Sequence, residues 1–170
     1  MGQGCVPSND VNVDASKKAL KAKPNANARG EQGWRVVEHT ADTGLEIVGE
    51  TLSQLFERAA AALFAQVVDR RRGRRHGQTT VAVDVCGVDW PDLMFNWLRE
   101  LLYLWNGSRQ IVAGVRVRAL SPYTIRADVS VEDYDPAVHR LGDEIKAVTY
   151  HQLQVAPNDG GWRAQVILDV

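Results

Sequence analysis

Two acidic positions carry side chains that are suited to metal binding. Asp42 ends the polar HTAD segment (39–42), shortly before an apolar run that is typical of a strand. Asp169 is the next-to-last residue, and Val170 would add its terminal carboxylate beside it. If the last strand lies next to the segment after Asp42, three carboxylates converge, and such oxygen clusters favour a hard cation, Ca²⁺ or Mg²⁺. The alternatives are a turn or cap role for Asp42 and a solvated side chain for Asp169.

A second group of polar residues follows a polar loop in the last third of the chain. Lys146, Thr149, Tyr150 and His151 lie close together in sequence. A lysine and a histidine on one strand could support acid–base chemistry, and the alternative is a strand with one solvated face. The common catalytic motifs (Walker loop, GxGxxG after a strand, GxSxG, HExxH) are absent from the sequence.

The overall charge of the chain gives no attraction for polyanions. The sequence has 20 Lys and Arg against 21 Asp and Glu, which gives a formal net charge of −1. Contact with RNA therefore needs a local patch or an intermediary. The segment DRRRGRRHG (69–77) is the candidate patch, since it is either a solvated loop or a basic contact for RNA or for a partner that holds RNA.

The sequence divides into a polar N-terminal segment and one domain. Residues 1–33 are rich in Asn, Ala, Lys, Gly and Pro and contain no aromatic residue, which predicts a disordered or variable tail. Residues 34–170 have the length and apolar content of a single domain. No stretch approaches the roughly 20 apolar residues of a membrane span, and we expect a cytoplasmic protein with no membrane contact.

Two amphipathic helices are predicted. Thr51 and Gln54 form a capping-box pattern, and the helical apolar spacing behind them continues to Val68. The second helix begins at Asp89, with an early proline and a first-turn acid, and ends at Asn106-Gly107. Its apolar face is formed by Leu93, Met94, Trp97, Leu98, Leu101, Leu102 and Trp105.

Alternating apolar residues predict several strands around these helices. Residues 133–142 are predicted to be a polar loop, and a change of phase near His151 predicts a bulge or a short helical turn. The strand segments are 45–49, 79–86, 112–120, 123–132, 144–155 and 162–170. We therefore expect a two-layer α+β domain, in which a mainly antiparallel mixed sheet carries the two amphipathic helices on one face.

Several blocks of sequence, in order from Trp34 to Val170, resemble the archease family. They are HTADTG (39–44), the helix 52–68 with its Ala-Leu-Phe, NWLRELLY (96–103), EIKAVTYH (144–151) and the ending VILDV (166–170). The combination of the HTAD start, the KAVTYH block and the LDV end is highly specific. The tail before Trp34 has no counterpart in the family, and the arginine-rich segment lies where its members vary.

The resemblance implies an accessory protein and not an enzyme. Its implied partner is the RtcB-type RNA ligase of tRNA splicing and RNA repair, which takes a guanylyl group from GTP onto a histidine. The family promotes this guanylylation and repeated turnover, so tRNA or RNA is met only through the ligase. The resemblance also implies a divalent metal, calcium, bound by Asp42, Asp169 and Val170.

Three further residues are candidates for the functional site, and two alternative functions remain open. His39, Lys146 and His151 are candidates to contact the partner or to support the metal ligands. One alternative is a chaperone-like modulator of tRNA-modifying enzymes such as a tRNA methyltransferase. The other is a small metal-dependent hydrolase that uses His39, Asp42 and Asp169, and it would need a concave apolar pocket around the carboxylates.

Overall fold

The computed structural model describes residues 33–38, 42–70 and 78–170. Residues 1–32 of the predicted tail (1–33), His39 and most of the arginine-rich segment (71–77) lie outside the described residues. None of the described helices is long and apolar enough to cross a membrane.

The described residues form two helices and nine strands. The helices are α1 (Leu52–Val67) and α2 (Trp90–Ser108). The strands are β1 (Trp34–Glu38), β2 (Asp42–Gly49), β3 (Val68–Arg70), β4 (Thr79–Cys86), β5 (Gln110–Ser121), β6 (Thr124–Asp133), β7 (His139–Leu141), β8 (Ala147–Asn158) and β9 (Gly161–Asp169).

The strands pair in three sheets, and every described pairing is antiparallel. The first sheet has the order β1-β2-β9-β8, so the last strand of the sequence lies beside β2. The second sheet joins the short strands β3 and β7, and the third has the order β4-β6-β5. Neighbouring strands in sequence form the hairpins β5–β6 and β8–β9, the second of which turns at Gly160 with a φ of 79°.

The helices form the layer that connects the first and third sheets. Helix α1 contacts β2 and β9 of the first sheet and β5 of the third, while α2 contacts β8 as well as β4 and β5. The apolar stripes of both helices are buried in this layer, with Trp97 and Phe56 among the largest fully buried side chains. The indole nitrogen of Trp97 donates a hydrogen bond to the carbonyl of Phe56, at 3.2 Å, which joins the two helices.

Both predicted helix starts are confirmed. The Thr51 hydroxyl accepts a hydrogen bond from the Gln54 amide at 3.1 Å, and the Asp89 carboxylate accepts one from the Asp92 amide at 2.8 Å. Helix α2 ends at Ser108, one residue beyond the predicted end at Asn106-Gly107, and Arg109 forms a left-handed cap with a φ of 52°. These caps satisfy backbone groups that would otherwise lack partners at the ends of the helices.

The two-layer α+β class is confirmed, and the strands divide among more sheets than the sequence indicates. The bulge near His151 is also confirmed, since the β8–β9 register shifts between Thr149 and Gln154. The prediction of a loop over 133–142 is wrong for its end, because His139–Leu141 pairs with β3. A three-residue strand is too short to show the alternation of apolar residues that marks a strand in sequence.

Candidate functional site

Pairing of β2 with β9 places the two candidate carboxylates together. Asp42 lies directly opposite Asp169 in this antiparallel ladder, and both side chains are half-buried. Directly opposed residues extend from the same face of a sheet. The core pairs of these strands, Leu45 with Val166 among them, have the opposite parity, so the carboxylates lie on the face directed away from the helices.

Lys146 reaches the same end of the sheet from the edge strand. Its backbone amide donates a hydrogen bond to the Asp169 carbonyl at 2.9 Å. Its Nζ donates a second one to an oxygen of Val170, also at 2.9 Å. The Lys146 ammonium therefore lies against an oxygen of Val170, one residue after Asp169, at the point where the sequence predicts a cation site.

His151 occupies a different position from Lys146. It is exposed within the bulge of β8, in the stretch between Thr149 and Gln154 where the pairing with β9 is interrupted. Gln152 in this bulge has a φ of 52°, and its side-chain oxygen accepts a hydrogen bond from Gln165 at 3.2 Å. The structure thus brings Lys146 to Val170, next to Asp169, and places His151 in the bulge of β8, while His39 lies outside the described residues.

The oxygen atoms at this end of the sheet are of the chemical type that binds a hard cation. Asp42 and Asp169 supply carboxylate oxygens, Val170 supplies another oxygen, and no thiol or imidazole of the described residues joins them. Within residues 33–38, 42–70 and 78–170, no group of three His, Cys, Asp or Glu side chains is placed to hold a metal ion. A cation here would therefore take two side chains and the Val170 oxygen, a set that suits calcium in an otherwise hydrated site.

The carboxylate pair does not line either of the two main surface depressions. One, of about 260 Å³, lies between α1 and β5 and is lined by residues such as Phe64 and Val112. The other, of about 50 Å³, lies on the first sheet around Gly44 and Ile167. The concave apolar pocket that the hydrolase alternative needs is not provided by either depression.

Comparison with known proteins identifies the family. The sequence model of the archease protein family matches residues 34–170. Curated relatives include the archease of Methanosarcina acetivorans, 38% identical over 141 residues that cover 81% of this chain and 95% of the relative. The archease of Pyrococcus furiosus is 33% identical, over 81% of this chain and 98% of its own length. The chain belongs to the archease family.

Solved structures agree with this membership. The solution structure of protein 1598 from Methanobacterium thermoautotrophicum is similar, with a TM-score of 0.65 and 26% identity over 82% of this chain and 99% of that one. The crystal structure of an archease from Thermotoga maritima, described as a possible chaperone, has a TM-score of 0.54. At 19% identity, over 79% of this chain and 94% of that one, the second likeness concerns the fold alone.

An aromatic surface lies where α2 meets β8 in this member of the archease family. The ring of Tyr150 stacks on Phe95, with ring centroids 3.7 Å apart, and the Arg99 guanidinium lies 5.5 Å from the Phe95 centroid. The Tyr150 hydroxyl donates a hydrogen bond of 2.5 Å to Asp92. Partial burial of the phenol and this hydrogen bond to a carboxylate raise the pKa of Tyr150 to about 12.

In the sequence, Tyr150 stands out only as a member of a polar group, and Asp92 only as an acid in the first turn of α2. Their contact depends on the packing of α2 against β8, which no local pattern encodes. The four-residue spacing of Phe95, Arg99 and Tyr103 was the sequence signal for this surface, because residues at that spacing share one face of a helix.

A buried histidine–carboxylate pair was also missed. His139 Nδ1 accepts a hydrogen bond from the Asp135 amide at 3.0 Å, so its Nε2 carries the hydrogen and faces the Glu132 carboxylate at 3.4 Å. Glu132 and His139 are 5% and 8% exposed. Their position beside the small sheet β3–β7 indicates a structural role in holding β7 against the end of β6.

Proposed function

We propose that this chain is an accessory protein that acts on an RtcB-type RNA ligase and is not itself an enzyme. In the ligase reaction, a histidine nitrogen attacks the α-phosphorus of GTP, a phosphoramidate bond forms and pyrophosphate leaves. The accessory protein promotes this step and restores the ligase for repeated turnover. Membership of the archease family supports the proposal.

The observation that carries the proposal is the opposition of Asp42 and Asp169 at an accessible end of the first sheet. We infer that these carboxylates and the Val170 oxygen hold a divalent cation, calcium. A divalent cation supplies positive charge that can offset the negative charge of nucleotide phosphates. The two carboxylates concentrate that charge at one point of the surface, where a partner can meet it.

Lys146 has a positioning role in this proposal. Its amide and its Nζ hold Asp169 and Val170 from the edge strand, so the end of β9 is fixed relative to β8. The ammonium also balances part of the negative charge of the cluster when no cation is bound. His151, exposed on the same edge strand, would contact the partner, and His39 belongs to the HTAD segment that ends at Asp42.

The placement of the carboxylates favours an accessory role over hydrolysis. A hydrolase needs a concave pocket to hold its substrate, and neither of the two depressions found among the described residues includes Asp42 or Asp169. Two half-buried carboxylates at the end of a sheet can meet another protein. With a formal net charge of −1, the chain would reach tRNA only through the ligase, in the cytoplasm.

The test measures formation of ligase–GMP in single-turnover and multiple-turnover assays, with and without this protein. We expect the wild type to accelerate guanylylation and Asp42→Asn to abolish the acceleration. Asp84→Asn is the matched control, because Asp84 lies on β4 with a side chain that is 70% exposed. Calorimetric titration with calcium chloride gives an independent readout, in which only Asp42→Asn and Asp169→Asn should lose binding.

The outcomes separate the parts of the proposal. Acceleration that survives Asp42→Asn would keep the ligase as partner and remove the metal from the mechanism. Absence of any acceleration by the wild type would overturn the ligase proposal. The chaperone-like alternative, modulation of a tRNA methyltransferase, would then be tested by the same protein's effect on that enzyme's solubility and activity.

A further inference from the structure

Three of the six exposed large hydrophobic side chains among the described residues lie on helix α2, just before it, or on the strand that packs against it. Val88, Tyr103 and Tyr150 are 76%, 68% and 55% exposed. Tyr103 follows Phe95 and Arg99 on one face of α2, and Tyr150 stacks on Phe95 from β8. We call these five residues, Val88, Phe95, Arg99, Tyr103 and Tyr150, the α2–β8 surface.

Asp92 holds this surface rigidly. One carboxylate oxygen accepts the Tyr150 hydroxyl at 2.5 Å. The other accepts the Val88 amide at 2.9 Å and the Asn96 side-chain amide at 3.2 Å. Because the tyrosine ring is stacked and its hydroxyl is bound, little side-chain freedom remains to be lost when a partner covers it.

The composition of the α2–β8 surface is that of a protein-binding hot spot. Tyrosine and arginine are enriched among residues that dominate binding energy, particularly where they surround a packed apolar centre. An array of aromatic residues could also stack nucleic acid bases, but such sites lie in basic grooves that follow the phosphate backbone. Here the charges that act on the Tyr150 phenol are mainly acidic, since Asp89 and Asp92 outnumber Arg99.

The acidic rim indicates the chemistry of the partner. A protein face with an apolar centre and a basic edge would pair its cations with the exposed Asp89 beside Tyr150. A protein that binds GTP and RNA must present such a basic edge around its polyanion site. Lys146, four residues before Tyr150 in the sequence, contacts Val170 next to Asp169.

We propose that the α2–β8 surface is the docking face for this basic, partly apolar protein partner. The identity of the partner as the ligase rests on the proposed function. In this arrangement the surface supplies affinity, while Asp42 and Asp169 act at the point that docking brings to the partner.

The experiment measures binding of the full chain to a purified RtcB-type ligase by biolayer interferometry, together with ligase–GMP formation. We expect Arg99→Ala and Tyr103→Ala each to raise the Kd about tenfold or more. The rate at saturating accessory protein should stay at the wild-type level. Leu141→Ala, which shortens an exposed apolar side chain on β7, is the matched control and should leave the Kd unchanged. Circular dichroism melts verify that each variant is folded.

Each alternative result has a distinct meaning. Unchanged Kd values for both variants, with guanylylation still accelerated, would overturn the docking face and leave the proposed function intact. A wild type that neither binds nor accelerates the ligase would overturn both. Fluorescence anisotropy with a single-stranded RNA provides the last arm, because binding by the wild type that Tyr103→Ala removes would make this an RNA surface and overturn the proposal.

Discussion

Asp42 lies directly opposite Asp169, so two carboxylates share one face of the β2–β9 ladder at its open end. Like charges at directly opposed positions destabilise a sheet. The fold brings this repulsion to a surface where Lys146 supplies one compensating charge through Val170. The arrangement is thus stabilised by any further cation that binds both carboxylates.

The first prediction follows from this repulsion. Asp42→Asn should increase the metal-free stability by about 0.2–1 kcal/mol, because it removes one of two opposed negative charges. Calcium should raise the melting temperature of the wild type and leave that of the variant unchanged. Thermal melts in EDTA and in calcium chloride measure both effects. A variant that is less stable than the wild type in EDTA would show that Asp42 has a structural role instead.

The second prediction concerns the charge of Lys146. Lys146→Gln removes the ammonium from the Val170 oxygen, and the affinity for calcium should rise about threefold or more at low ionic strength. Lys146→Arg keeps the positive charge and serves as the control. Calorimetric titration with calcium chloride measures the affinity of each variant. Weaker calcium binding by Lys146→Gln would mean that positioning of Val170 outweighs charge competition.

The third prediction uses the pKa of Tyr150. The folded-state pKa of about 12 exceeds the ordinary value of 10.0, so the phenol's contribution to stability is complete below pH 10 and is lost as the pH rises through 12. Asp92→Asn should lower this pKa, because a neutral amide no longer opposes the phenolate. Ultraviolet titration measures it, and subtraction of the Tyr150→Phe curve isolates one of the four tyrosines. An unshifted curve in Asp92→Asn would contradict the hydrogen bond.

Local sequence patterns predicted the parts of the fold that depend on near neighbours. Thr51 with Gln54, and Asp89 with Asp92, are short-range pairs, and both cap the helices as expected. The change of phase near His151 predicted the bulge for the same reason, since one extra residue shifts the alternation on its own strand.

Contacts between distant segments could be predicted only conditionally or not at all. The convergence of Asp42 and Asp169 depends on pairing of the second strand with the last, which the sequence allowed but did not require. Short strands such as β3 and β7 have too few residues for a periodic signal. The bond between Tyr150 and Asp92 needs the packing of α2 on β8, which is a tertiary event.

The fourth prediction tests the buried pair of β6 and β7. His139→Leu should lower the free energy of unfolding by about 1–3 kcal/mol, because the Asp135 amide and the buried Glu132 carboxylate each lose a partner. The exposed His151 is the matched control, and His151→Leu should change stability by less than about 0.5 kcal/mol. Urea denaturation gives both values. Equal effects at the two positions would contradict the structural role of His139.

The fifth prediction distinguishes the two helix caps by their effect on the pKa of Tyr150. Thr51→Ala and Asp89→Ala should each cost about 1 kcal/mol of stability, because each leaves a first-turn amide without its side-chain acceptor. Asp89→Ala disturbs the turn of α2 that carries Asp92 and also removes a negative charge that raises the pKa of Tyr150, so only this variant should also lower that pKa and weaken binding at the α2–β8 surface. Urea denaturation and ultraviolet titration of the same two proteins provide the comparison. If both variants leave Tyr150 unchanged, Asp92 is held by its bonds to Val88 and Asn96 and not by the start of the helix.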